Sequence, residues 1–173
     1  MKAVFLDIDG VLNSTVYMTE RAKLGKWDGK DEPGDWKAVE RWVQMIDPKA
    51  ARRLHGLVEL TGAKIVISSS WRHAQHWTRM ETILRKAGCP CSVIGETDVL
   101  SRARGYEIAK WLEEHPGVTR FVIFDDGSDA GEGGLEKGFV KTDLRYGLRD
   151  EHIVRALEIL GTDLQQNPHR RCP

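Results

Sequence analysis

The sequence lacks an excess of either charge, since its 173 residues carry 26 lysines and arginines against 26 aspartates and glutamates. A formal net charge of zero provides no global basic field that would favour nucleic acid, and no acidic field that would repel it. The sequence also has no apolar run of membrane-spanning length, so we expect no membrane partner. Its first residues lead straight into an apolar strand and then to charged residues, so we expect no signal peptide.

Cysteine is scarce, with three residues at positions 89, 91 and 172. The Cys89-Pro90-Cys91 spacing is too short for an unstrained disulfide, and there is no second cysteine pair to complete a zinc site. We therefore expect reduced thiols and a cytoplasmic protein.

Apolar runs alternate with helical patterns along the chain, which predicts an α/β fold. We expect a three-layer α/β/α sandwich with a mostly parallel, Rossmann-like sheet and a small insertion after the first strand. The predicted strands cover residues 3–6, 64–68, 91–94, 119–124 and 139–142. The predicted helices cover residues 35–46, 48–60, 71–86 and 106–114, and a last helix ends at residue 160. The length suits a single domain, residues 1–173.

Residues 14–34 form a polar stretch rich in glycine and charge, which we interpret as a long insertion with little core potential. Because it follows the first strand directly, it could fold over a site there as a lid, or it could be a surface loop. We assign residues 14–60 to this lid or small cap together with connecting helices. The tail, residues 161–173, is expected to be flexible.

The most informative segment is Asp7-Ile8-Asp9-Gly10, which directly follows the apolar run Ala3 to Leu6. In an open parallel sheet such a strand end lies at the carboxyl edge, where ligands bind. Two carboxylates there are costly unless a cation or hydrogen bonds offset their charge. The two carboxylates could converge on one metal ion if the chain curls after Ile8, or they could be a solvated pair at a capped strand end.

A second apolar strand, Thr119 to Phe124, also ends in carboxylates, at Asp125, Asp126 and Asp129. Crowding of so many acids at one sheet edge would raise their pKa values and destabilise the fold without a cation. Hard oxygen ligands with room for water and phosphate suit Mg²⁺. The predicted metal ligands are Asp7, Asp9, Asp125 and Asp126, with Asp129 as an alternative to Asp126.

Three serines, Ser68, Ser69 and Ser70, follow another buried strand and precede a helix start. Hydroxyls, backbone N–H groups and the helix dipole together favour a bound oxyanion, although a serine here could also serve as a helix N-cap. We rank Ser69 first as the phosphate contact, then Ser70, then Ser68. Arg72 could clamp a phosphate with two hydrogen bonds, or it could be a solvated surface residue.

Arg104 lies at the start of a predicted helix, where a cation works against the helix dipole. That position suits a residue that holds an anion better than one with a purely structural role. Arg102 and Lys110 are its rivals. His73 and His76 lack a third ligand, so we interpret them as surface or substrate-proximal residues.

Together these segments resemble the four motifs of the haloacid dehalogenase (HAD) superfamily of phosphatases, over residue 2 to about residue 160. The resemblance is carried by Asp-x-Asp-Gly-Val-Leu-Asn, Ser-Ser-Ser-Trp-Arg, Arg-Gly-x-Glu-Ile-x-x-Trp-Leu and Phe-Asp-Asp. Within the superfamily, the combination looks like the small-cap branch related to HAD domains of RNA-repair proteins.

The resemblance implies a Mg²⁺-dependent phosphomonoesterase that works through an aspartyl-phosphate. It makes Asp7 the nucleophile, Asp9 the general acid and base, Ser69 and Arg104 the contacts of the phosphoryl oxygens, and Asp125 a metal ligand. Ser70 and Arg72 are further substrate-binding candidates.

The substrate is less well indicated by the sequence. A small lid leaves the site open, which suits a polynucleotide end or a phosphoprotein as well as a small molecule. A basic rim with tryptophans for base stacking could serve such a substrate, although these residues are as well explained as core tryptophans and solvated arginines. The candidates are Arg41, Arg52, Arg53, Arg72, Arg79, Trp36, Trp42 and Trp71. A small-metabolite phosphatase and a non-catalytic phosphate-binding module are the alternatives, and nothing indicates the oligomeric state.

Overall fold

The computed structural model of the chain describes residues 1–25, 39–100 and 103–162. Five strands form an all-parallel sheet in the order β3-β2-β1-β4-β5, which confirms the predicted α/β architecture. The strands are β1 (Lys2–Leu6), β2 (Lys64–Ile67), β3 (Val93–Glu96), β4 (Arg120–Asp125) and β5 (Phe139–Lys141). The helices are α1 (Thr15–Lys23), α2 (Val39–Gln44), α3 (Pro48–Thr61), α4 (Trp77–Lys86), α5 (Arg104–Glu114) and α6 (Asp150–Leu160).

The alternation of side chains along β1 divides the core into two layers. Val4 and Leu6 point into the larger cluster, which also contains apolar residues of α3, α4 and α6. Ala3 and Phe5 point into the smaller cluster, where Phe5 packs edge-to-face on Trp111 of α5 at a centroid distance of 5.4 Å. The period of two residues in a strand explains this division, and it produces the predicted three layers.

The helix α3 begins and ends as its sequence signals predict. The Asp47 side chain accepts a hydrogen bond from Lys49 N, Pro48 occupies the first turn, and Gly62 follows the helix with φ +67°. An aspartate N-cap, an early proline and a left-handed glycine are the standard boundary signals of a helix. Leu54 and Leu57 of α3 are fully buried, so α3 belongs to the core layers.

The predicted helix over residues 71–86 is wrong at its start. Ser70–His73 form a short 3₁₀ helix, and α4 begins only at Trp77, after the buried Gln75. His76 provides the N-cap of α4, because its ring nitrogen accepts a hydrogen bond from Thr78 N. Histidine is not among the usual capping residues, so the boundary had no clear signal.

The insertion after β1 is partly helical, which corrects the prediction of an irregular loop over its first residues. Helix α1 is capped by Ser14, whose hydroxyl accepts from Tyr17 N, but α1 has no buried residue. Its sequence therefore lacks the apolar period that identifies a helix. The action of residues 14–60 as a lid stays a prediction, and residues 26–38 and 163–173 lie outside the described residues.

The strand order places the predicted site at a topological switch point. From β1 the chain continues to β2 and β3 on one side, and β4 and β5 then lie on the other side. The carboxyl ends of β1 and β4 are therefore neighbours, with Leu6 paired to Phe124. Ligands of open α/β sheets bind at such a point.

Among the described helices, none is long and apolar enough to span a membrane.

Candidate active site

Asp7 is the first residue after β1 and is almost fully buried. Its backbone N–H donates to Phe124 O of β4, and its Oδ1 accepts from Ile8 N at 2.8 Å. Burial raises the pKa of the Asp7 carboxyl, while the Arg104 guanidinium and a hydrogen bond from the Ser69 hydroxyl act in the opposite direction. The Asp7 carboxyl is therefore buried, with Ile8 N, Arg104 and Ser69 as its neighbours.

Asp125 ends β4 beside Asp7 and is also buried. Burial and the nearby Asp7 charge raise the pKa of Asp125 to about 7, although Arg104 and the N–H of Gly127 lower it. Two acids that share a buried space favour the neutral form of at least one of them. Without a metal ion, burial and the repulsion between Asp7 and Asp125 therefore disfavour the ionised form of these carboxyls.

Gly10 allows Asp126 to approach the same space. Gly10 has φ +69°, and a Cβ there would lie 2.5 Å from Asp126 Cγ. A glycine is needed both for this left-handed backbone and for the close contact. Asp7, Asp125 and Asp126 each offer a carboxylate oxygen, and these oxygens lie within 4.8 Å of one another.

These residues fit a divalent cation. Asp125 Oδ2 is buried, and none of the described groups donates a hydrogen bond to it, although Arg104 Nε lies 3.2 Å away. A buried oxygen of this kind requires a partner, and a set of hard oxygen donors suits Mg²⁺. Three of the four predicted ligands meet in this cluster.

Asp9, the fourth predicted ligand, is not part of the carboxylate cluster. Its Oδ1 accepts from Asn13 Nδ2 at 2.8 Å, and its Oδ2 accepts from Trp71 Nε1 at 3.0 Å. The alternative ligand Asp129 is exposed, and its Oδ2 accepts from the backbone N–H of Arg104 at 3.0 Å. Metal binding by the Asp9 or Asp129 side chain stays a prediction.

Arg104 is the cation of the site. Its guanidinium donates to Ser68 O and lies 3.5 Å from Asp7 Oδ1 and 3.2 Å from Asp125 Oδ2. Of its predicted rivals, Lys110 pairs with Asp98 at the surface, and Arg102 lies outside the described residues. Arg104 therefore faces the carboxylates of Asp7 and Asp125, and its contact with a phosphoryl oxygen stays a prediction.

Gly105 explains how Arg104 reaches the acids. A Cβ at Gly105 would lie 2.5 Å from Glu132 O and 2.9 Å from Asp129 O. The first turn of α5 therefore approaches the loop after β4 more closely than any side chain would allow. Sequence reasoning missed this residue, although a glycine directly after the candidate cation was visible.

The three serines have different environments. Ser68 and Ser69 are buried, whereas Ser70 is exposed. Ser69 lies beside the Asp7 carboxyl, whose pKa it lowers, and its hydroxyl accepts from Trp71 N and so caps the 3₁₀ helix. None of the described groups hydrogen-bonds the Ser68 hydroxyl, while the Ser68 carbonyl receives Arg104. Which serine contacts a phosphate stays a prediction.

The Arg72 side chain is buried, which excludes the solvated-surface alternative, and its contact with a phosphate stays a prediction. It forms a buried ion pair with Glu107 of α5 at 2.5 Å and donates to Ser69 O at 3.2 Å. Glu107 also accepts from Leu100 N at 2.9 Å. The pair joins residues 68–72, the serine segment, to α5. The sequence indicated no partner for Arg72 because Glu107 lies 35 residues away. His73 and His76 are exposed, as expected.

The predicted tryptophan rim is not present among the described residues. Trp42 and Trp71 are each 5% exposed and pack against each other, which confirms their interpretation as core. Arg53 pairs with Asp150, Arg52 is exposed, and Trp36 lies outside the described residues.

Cys89 and Cys91 are buried free thiols.

Comparison with known families agrees with this geometry. The family model for the HAD domain in Swiss Army Knife RNA repair proteins matches residues 3–153, which include both acidic strand ends, the serine segment and Arg104. No curated protein matched, and neither did any solved structure. The match covers most of the chain, and the chain therefore belongs to the family of HAD domains found in Swiss Army Knife RNA repair proteins.

Proposed function

We propose that this protein is a Mg²⁺-dependent phosphomonoesterase that works through an aspartyl-phosphate and acts on terminal phosphates of nucleic acids or nucleotides. Membership in the HAD family points to a phosphatase-type hydrolase. The observation that carries the proposal is the meeting of two buried strand-end acids, Asp7 and Asp125, with Arg104 and a hydrogen-bond-deficient carboxylate oxygen. A solvated acid pair would have neither this burial nor this cation.

In the proposed reaction, Asp7 attacks phosphorus and forms an acyl-phosphate bond while the bond from phosphorus to the leaving oxygen breaks. Asp9 gives its proton to the leaving oxygen. The resulting Asp9 carboxylate then takes a proton from water as that water attacks phosphorus, which releases phosphate and restores both acids. Asp7 is the better nucleophile candidate, because Ile8 N donates to its Oδ1 and Arg104 lies beside it. Both oxygens of Asp9 are instead bound by Asn13 and Trp71.

Arg104 stabilises the negative charge on Asp7 and on the phosphoryl oxygens. Ser69 lies beside Asp7, and the exposed Ser70 is available to the phosphate. Asp7, Asp125 and Asp126 would hold Mg²⁺, which would offset the repulsion between the attacking carboxylate and the phosphate.

A surface groove is a candidate binding site for part of a nucleotide or polynucleotide. It has a volume of about 380 Å³ and includes Ser14, the residue after Asn13, but none of Asp7, Asp9, Arg104 and Asp125. Its lining includes the aromatic residues Tyr17 and Tyr146, the basic residues Lys49 and Arg52, and the acidic residues Glu20 and Asp47. Aromatic and basic side chains together suit bases and phosphates.

The chemistry is tested with Asp7→Asn, which we expect to lower turnover of a phosphomonoester by about a thousandfold or more, since it removes the nucleophile. Glu158→Gln, which makes the same change of charge on the exposed surface of α6, is the matched control and should keep full activity. Mass spectrometry after an acid quench should detect a phosphoryl group on Asp7 in the wild type. Full activity in a folded Asp7→Asn protein would contradict the mechanism.

The substrate class is tested by comparing 3′- and 5′-phosphorylated oligonucleotides, mononucleotides and sugar phosphates, each with Mg²⁺ and with a chelator. We expect the highest kcat/KM for oligonucleotides or nucleotides. A preference for sugar phosphates would instead indicate a metabolite phosphatase, and binding without turnover would indicate a phosphate-binding module.

A further inference from the structure

The carboxylate of Asp9 is held at both of its oxygens. Asn13 Nδ2 donates to Oδ1 at 2.8 Å, and Trp71 Nε1 donates to Oδ2 at 3.0 Å. The Asn13 carbonyl in turn accepts from Gly10 N at 3.1 Å, so one bond of this pair is local to the turn. The bond from Trp71 is long-range and joins residues 62 positions apart.

Trp71 is itself held firmly. It is 5% exposed, and its ring packs edge-to-face on Trp42 at a centroid distance of 4.7 Å. Its backbone N–H donates to the Ser69 hydroxyl, and its carbonyl accepts from Ala74 and Gln75. The indole cannot turn away from Asp9 without breaking this packing, so its N–H is a fixed donor.

The spacing of the partners is matched on the two sides. Asp7 and Asp9 are two residues apart, and so are Ser69 and Trp71. Ser69 lies beside Asp7, whose pKa it lowers, and Trp71 Nε1 donates to Asp9 Oδ2. The backbone continues the parallel register of β1 and β2 into this region, since Ser68 N donates to Leu6 O at 2.9 Å. A single short segment therefore adjoins both acids.

We propose that Trp71 is a positioning residue that orients the Asp9 carboxyl for proton transfer to the leaving oxygen. This inference rests on the function proposed above. An indole N–H can only donate, so Oδ2 always acts as an acceptor toward Trp71, and its remaining lone pair can carry the proton. When the proton passes to the leaving oxygen, the carboxylate that forms is stabilised by the two N–H donors.

The role of a proton donor depends on the leaving group, and this dependence provides the test. A nitrophenolate leaves without a proton, whereas an alkoxide requires one. In Trp71→Phe we expect kcat/KM for an alkyl phosphate to fall about tenfold or more, which is the usual effect of losing a hydrogen bond to a charged group. We expect kcat/KM for 4-nitrophenyl phosphate to change by less than about twofold.

Trp77→Phe is the matched control, because Trp77 is a partly buried tryptophan that packs on the core and contacts His76. It should leave the ratio between the two esters unchanged. If Trp71→Phe does not fold, benzothienylalanine at position 71 replaces it, because that residue keeps the bicyclic ring and lacks the N–H.

A second readout needs no turnover. The indole ¹H–¹⁵N signal that disappears in Trp71→Phe identifies Trp71, and we expect it to shift in Asp9→Asn, because its acceptor loses its charge. An unmoved signal, or an equal loss on both esters in Trp71→Phe, would overturn the role of Trp71 alone. Absence of turnover of both esters by the wild type would overturn the proposed function and, with it, the role.

Discussion

Asp125 keeps its carboxyl buried beside a second acid, and this position opposes ionisation. Burial raises the pKa of Asp125 and also that of its neighbour Asp7. Both acids could be predicted from the sequence, because each follows an apolar strand directly. The bond from Trp71 to Asp9 could not, because it depends on the register of two strands that are far apart in the chain.

The raised pKa of Asp125, from 3.8 to about 7, predicts how stability depends on pH when no metal is bound. The folded protein keeps a proton that the unfolded chain releases above pH 4. Its free energy of unfolding should therefore fall as the pH rises from about 4 to about 7, by roughly 4 kcal/mol if this group acts alone. Urea unfolding between pH 4 and pH 8, with chelator present, measures this effect.

Asp125→Asn should remove most of that slope, because the amide does not titrate. The Glu158→Gln variant should keep the slope, since Glu158 is on the exposed surface of α6. Equal slopes in wild type and Asp125→Asn would contradict a buried, proton-binding Asp125.

Among the secondary-structure elements, α5 is the one that the site depends on most. Its first residue supplies the guanidinium, Gly105 allows the close approach, and Glu107 ties it to Arg72 of the serine segment. The sequence predicted α5 and its cation. It did not predict the ion pair, because either charge could equally have faced solvent.

Breaking the buried pair should destabilise the fold. Glu107→Gln leaves the Arg72 charge without compensation in a buried place, and we expect a loss of about 3 kcal/mol in the free energy of unfolding. Glu114→Gln, on the exposed side of the same helix and paired with Lys110 at 3.5 Å, should cost less than about 1 kcal/mol.

The double variant Arg72→Met with Glu107→Gln removes the uncompensated charge, so it should recover part of the stability that Glu107→Gln loses. Urea unfolding of the four proteins provides the comparison. Similar losses for Glu107→Gln and Glu114→Gln would show that the buried pair contributes no more than a surface pair.

For the molecule as a whole, the order of the strands decides which residues meet. The sequence predicted parallel strands and helices on both faces, but strand order follows from packing across the sheet. The pairing of β1 with β4 brings Asp7 beside Asp125, although 118 positions separate them. Residues 14–25 were harder to interpret, because α1 has no buried face to produce a pattern.

A cation that binds this folded arrangement, and not the unfolded chain, should stabilise the whole molecule. At a free Mg²⁺ concentration about a hundredfold above the dissociation constant, we expect a gain of about 2.7 kcal/mol, seen as a rise of several degrees in Tm. Asp125→Asn should lose most of the Mg²⁺-dependent increment, and potassium chloride of the same ionic strength should not reproduce it. An equal increment in the variant would place the ion elsewhere.

The matched spacing of Ser69 and Trp71 with Asp7 and Asp9 makes the length of a segment matter more than its composition. A change at the exposed Ser70 leaves both neighbours in place. Deletion of that one residue would shift Trp71 by one position and separate it from Asp9, even if Ser69 stayed beside Asp7. Single-residue deletions within residues 68–71 should thus lower activity far more than alanine substitutions there. A transfer of this site to a related protein would have to include the segment with Asp7 and Asp9 together with the segment with Ser69 and Trp71.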